Sequence, residues 1–118
     1  GVPVTAGDGW SIELPGLAVT PTVRIEPEGL QVTAKVEPMC GCPLTPGGLW
    51  DANGYSVEAT LRRGSTIIAR APLTYAGQAS QFAGQFTSLP RGRYALRVIA
   101  SDARSSNAGV AEVAIRIP

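Results

Sequence analysis

Histidine is absent from all 118 residues. Its absence removes serine–histidine and cysteine–histidine nucleophilic pairs, imidazole general bases and every metal site built on an imidazole. Any catalysis would have to run on carboxylates, tyrosine or thiol alone. Lysine is nearly absent as well: nine of the ten basic residues are arginines, against nine acids, for a formal charge of +1. With so little net charge and only one adjacent basic pair, Arg62-Arg63, no clustered positive face is expected. Nucleic acid is therefore excluded as a partner. No apolar run approaches the ~18 residues of a membrane helix. The sequence also shows no helix-period segment longer than a turn or two and no internal repeat.

What the chain does have is turn formers, fourteen glycines and ten prolines, which favour many short elements. Its length suits one domain with a single core, expected over residues 1–118, with 1–9 as an extended lead-in. The chain starts at Gly1 without methionine, and we read it as a processed product of an exported protein, periplasmic or extracellular.

Period-two alternation is the clearest pattern. In 30–36, Leu30, Val32, Ala34 and Val36 face one way and Gln31, Thr33 and Lys35 the other. Residues 55–63 repeat this with Tyr55, Val57, Ala59 and Leu61, residues 94–101 with Tyr94, Leu96, Val98 and Ala100, and residues 111–117 with Val113, Ile115 and Ile117. Such segments are half-buried antiparallel strands. Further strands are expected near 10–14, 65–71 and 79–87, with Phe82 and Phe86 in the core. The total is about seven, the number of an all-β sandwich.

The stretch 89–117 adds specificity. Leu89, Gly92, Tyr94, Ala100, Asp102, Asn107 and Gly109 fall where the last hairpin of bacterial immunoglobulin-like and fibronectin type III-like domains carries these residue types. The segment resembles that hairpin and implies an immunoglobulin-like antiparallel β-sandwich, with Tyr94 burying its ring and returning its hydroxyl to backbone as in a tyrosine corner. The cysteines depart from the antibody pattern, in which one bridge joins the two sheets across some 50 or more residues.

Those cysteines, Cys40 and Cys42, lie one residue apart in a Pro/Gly-rich loop, 38–53, beside the only methionine, Met39. A loop of sixteen residues exceeds the usual hairpin connection. Leu44, Leu49 and Trp50 give it apolar weight, and we expect it to be either an ordered binding loop at one end of the domain or a long connection crossing between the sheets, closed over by Trp50. Three chemistries compete for its sulfur. A local Cys40–Cys42 disulfide with a structural role is the first expectation. Copper(I) held by Met39, Cys40 and Cys42 is the second, because soft donors suit a soft ion that accepts two or three ligands. Free, partly buried thiols, or partners in an intermolecular bridge, are the third, with catalytic thiol–disulfide exchange as a further reading. Exchange is disfavoured because such enzymes place two residues between the cysteines at a helix N-terminus. Asp51 with Asn53, and Asp102 with Asn107, are candidate calcium oxygens but read better as turn residues. The functional expectation is a non-enzymatic extracytoplasmic binding or accessory module with no resident cofactor. It presents Leu49 and Trp50 to a protein partner, with copper(I) binding and redox chemistry as alternatives.

Overall fold

The computed structural model describes residues 2–4, 10–13, 17–27, 29–38, 42–48, 51–104 and 107–118, with backbone alone for 2–4 and 10–13. The described residues form an all-β structure. Seven long antiparallel strands are β3 (Leu17–Glu26), β4 (Gly29–Pro38), β5 (Tyr55–Arg63), β6 (Thr66–Tyr75), β7 (Gln81–Thr87), β8 (Gly92–Asp102) and β9 (Ala108–Ile117). Two short ones, β1 (Val2–Val4) and β2 (Trp10–Glu13), complete the set. They follow one another in a single sheet in the order β1-β3-β4-β7-β6-β5-β8-β9-β2. The sheet curls into a nearly closed, barrel-like sandwich whose far side is sealed where β3 packs on β9 and β2.

Alternation decides what is inside. Leu30, Val32, Ala34 and Val36 of β4 are buried, as are Val57, Ala59 and Leu61 of β5 and Tyr94, Leu96, Val98 and Ala100 of β8. Val113 and Ile115 of β9 and Phe82 and Phe86 of β7 join the same core. At ~25 cal/mol per Å² of apolar surface removed from water, this burial is the main force holding the two layers together.

Strand β3 departs from the sequence reading, which did not anticipate it. Leu17, Val19 and Val23 alternate into the core as strictly as any other set, but Pro21 interrupts the run, and proline argues against a central strand. The fold accommodates it at an edge. β1 pairs with β3 at Ile25, Arg24 and Val23, so among the described residues Pro21 has no partner on that side. Strand β6 also runs further than the expected 65–71, to Tyr75.

β6 is the strand that both layers share. It pairs with β5 from Arg63↔Thr66 to Val57↔Leu73, with an irregularity between Leu61 and Arg62, and with β7 only at Thr74 and Tyr75. Where it crosses over, the Pro72 carbonyl and Leu73 side chain lie against Gly84 of β7. A Cβ at position 84 would sit 2.6 Å from that oxygen and 2.7 Å from Leu73 Cδ2. Only glycine leaves room for the crossing, which is why Gly84 stands between the two core phenylalanines.

Candidate functional site

The β4–β5 connection lies at the end of the sandwich that also carries the β6–β7 and β8–β9 connections. The structure pins it to both. Pro38, buried, closes β4 opposite Leu17. Leu44 is completely buried and reaches the β6–β7 connection at Ser80. The Leu44 amide donates to Ser80 Oγ at 3.1 Å. The Ser80 amide donates back to the Leu44 carbonyl at 2.9 Å, and the Ser80 carbonyl accepts from the Val36 amide of β4 at 2.9 Å. Ser80 does this from φ 65°, a left-handed conformation that a non-glycine residue adopts only where its surroundings fix it.

Beyond Leu44 the chain folds on itself. The Thr45 carbonyl accepts from the Gly48 and Ala52 amides, both at 3.1 Å. Asp51 caps a short 3-10 turn, Ala52–Gly54, and its Oδ1 accepts from the Asn53 amide at 3.0 Å and the Gly47 amide at 2.9 Å. These two amide bonds hold the Asp51 carboxyl below its ordinary value of 3.8, and the guanidinium of Arg104 adds to the effect. Arg104 approaches Asp51 Oδ2 at 3.4 Å from the β8–β9 connection. That connection is fixed in turn by Asp102, whose Oδ1 accepts from the Arg104 amide at 2.9 Å and whose amide donates to Asn107. Beneath it, burial raises the Tyr55 hydroxyl above its ordinary range, and the Asp102 charge reinforces the shift.

The described parts of the loop, 42–48 and 51–53, are therefore held at one end of the domain. Of the residues singled out from the sequence, Cys42 is half-buried two positions before Leu44. It is disulfide-bonded, and no described cysteine is a free thiol. Met39, Cys40, Leu49 and Trp50 lie outside the described residues. Asp51 serves as a turn residue, accepting from two amides and pairing with Arg104, and among the described residues no group of three His, Cys, Asp or Glu side chains could hold a metal ion. Ser80 and Arg104, which hold the loop from its two sides, carry no signal in the sequence. Tyr94 is placed as the hairpin resemblance implies, its ring buried and its hydroxyl donating to the Pro90 carbonyl at 2.6 Å.

The donor chemistry sets what this end of the domain can hold. Without histidine, the borderline copper(II) ion has no imidazole to bind. The sulfur atoms of Met39, Cys40 and Cys42 are all the sulfur in the chain, and thiolates suit copper(I). Cys42 in its bridged state is not a thiolate, so the fit holds for the reduced loop alone.

The architecture is that of an antiparallel β-sandwich closing toward a barrel, and two solved structures share it. One is a copper-reconstituted P19 protein from Campylobacter jejuni, with a TM-score of 0.60, 15% identity, and coverage of 98% of this chain and 96% of that one. The other is a copper-bound variant of the same protein, at 0.56 and 12%, with the same coverage. At such identity the likeness establishes a common fold. No family model and no curated protein matches the chain.

Proposed function

We propose that this chain is a non-enzymatic, extracytoplasmic copper(I)-handling module whose cargo site is the reduced Met39-Cys40-Gly41-Cys42 segment. One coincidence carries the reading. A fold seen in copper-bound P19 spans 98% of the chain, and this chain gathers every sulfur it has into four consecutive residues of one loop. Support also comes from the anchoring of that loop. Cys42 is two residues from a fully buried leucine clamped by Ser80, so its position is defined by the scaffold. A bridged Cys42 agrees with an oxidising compartment. We infer that its bridge is to Cys40, the one other cysteine. Opening the bridge takes two electrons and two protons from a thiol reductant, and yields the two thiolates, on loss of their protons, that would hold the ion with the Met39 thioether.

Thiol–disulfide catalysis fits less well. The described loop carries a three-residue 3-10 turn rather than a helix N-terminus that would stabilise a thiolate. The partner we infer is the protein that delivers or receives the ion, met by Leu49 and Trp50. The deciding experiment is an anaerobic titration of the reduced protein with copper(I) against a chromophoric chelator. The expected result is one ion per chain for the dithiol form, and none for the oxidised protein, Cys40→Ser or Cys42→Ser. Equal uptake by wild type and Cys42→Ser overturns the reading.

A further inference from the structure

At the end of the domain opposite the cysteine loop, β8 begins where β9 finishes. In their register Arg93 lies directly across from Arg116, and Gly92 from Ile117. These four residues, with Arg91 and Pro118, line a cleft of about 460 Å³ without an acidic side chain. We propose that this cleft is an oxyanion site that takes a phosphate group, independent of any role of the cysteines.

The same strand pair supplies its own control. Four residues further along β8, Arg97 lies opposite Glu112. There one carboxylate bridges two arginines, with Arg97 Nη2 at 3.0 Å and Arg62 Nη2 at 2.9 Å from the same Glu112 oxygen. Arg91, Arg93 and Arg116 are all exposed and make no ion pair among the described residues. Like charges directly opposite on neighbouring strands destabilise a sheet. Next to two arginines bridged by one carboxylate, Arg93 and Arg116 offer the same arrangement to an anion from outside. Guanidinium groups also present planar forks of donors suited to phosphate oxygens.

The backbone at this corner is fixed. Arg63 donates to the Arg91 carbonyl at 3.1 Å, and its guanidinium carbon stands 5.5 Å from the centroid of the buried Tyr94 ring. That guanidinium occupies the space where a side chain at position 92 would point, and Gly92 has φ 144°, a region that favours glycine. Arg63 thus adds a fourth positive charge at the rim while holding the turn that presents Arg91 and Arg93.

The test uses the whole protein and inorganic phosphate, followed through the backbone amides and arginine Nε–H resonances by NMR, with chloride at equal ionic strength as the control. Phosphate is expected to give saturable shifts confined to Arg91, Gly92, Arg93 and Arg116, and to raise the melting temperature. Arg116→Gln and Arg93→Gln should each weaken phosphate at least about tenfold, the loss of one charge-assisted contact. Each should also melt higher than wild type without phosphate, because the repulsion is gone. That opposite pair of signs separates a binding role from a structural one. Shifts that rise linearly, or that chloride reproduces, mean an adventitious ion only and overturn the proposal. Unchanged affinity in both variants overturns it too. Vesicles of phosphatidylglycerol, with phosphatidylcholine as control, distinguish the source. If phosphate saturates and the anionic vesicles engage the same resonances, the natural group is a lipid headgroup. If phosphate saturates and the vesicles do not bind, it is a soluble phosphate. Vesicle binding without saturation by phosphate indicates diffuse attraction and overturns the site.

Discussion

Leu44 and Ser80, separated by 36 residues, hold each other by two hydrogen bonds: amide to hydroxyl at 3.1 Å and amide to carbonyl at 2.9 Å. Both residues are buried, so neither bond can be exchanged for one to water without opening the loop. Ser80→Ala leaves the Leu44 amide without its acceptor, and a buried unsatisfied donor costs about 1–3 kcal/mol. The expected result is a lower denaturation midpoint with faster hydrogen exchange at Leu44. An unchanged midpoint and unchanged exchange would show that the loop is held elsewhere.

Gly84→Ala tests the crossing of β6 between layers. The new methyl meets the Pro72 carbonyl, which is backbone and cannot rotate away. Overpacking of this kind costs about 1–3 kcal/mol. Urea unfolding should show the loss. A wild-type midpoint would mean that β6 can cross without the gap.

Tyr94→Phe removes the hydroxyl that donates to Pro90 and leaves the ring in place beneath Arg63. The expected destabilisation is about 1 kcal/mol, the net worth of one hydrogen bond. Tyr94→Ala should lose considerably more, because the ring itself is buried. Equal losses in the two variants would assign the whole effect to the hydroxyl.

The Asp51 carboxyl gives the loop an acid dependence whose sign follows from its hydrogen bonds. Its folded value lies below 3.8, because two amides and Arg104 favour the charged form. Its contribution is therefore present above the unfolded value and is lost as pH falls through the folded one. Asp51→Asn should be less stable than wild type at neutral pH, with the gap closing on acidification below pH ~4. Chemical denaturation of both proteins across that range checks it. A gap that stays constant would mean that the cap geometry matters and the charge does not.

Much of this architecture was legible because burial imposes period two on a strand with one wet face. β4, β5, β8 and β9 follow that rule without interruption, and their inward residues were readable one by one. β3 follows it too, yet Pro21 carries the opposite local message. The pairing of β3 reconciles the two, since among the described residues Pro21 is paired on the β4 side alone. The candidate site divides the same way. The loop was visible from its length and composition, and its length fits a connection between two strands, β4 and β5, that are not paired with each other. Its fastening was not visible. Ser80 lies on another connection, and a serine in a left-handed conformation looks like any serine in a sequence. Arg104 meets Asp51 only because the fold brings two loops together.

The crossing of β6 also bears on how the protein behaves in a crowded solution. Before it reaches β7 at Thr74, the strand runs from Thr66 to Leu73 with β5 alone beside it among the described residues. Its other flank has no paired strand among the described residues, and Ile67 and Ile68 on this strand are exposed. Such a flank is a template for self-association. Three features work against it. The register slips between Leu61 and Arg62, which twists the ribbon, Arg70 sets a charge on the strand, and Pro72 withholds a donor. The molecule keeps an open seam along β6 and guards it locally with Arg70 and Pro72, both exposed and outside the core.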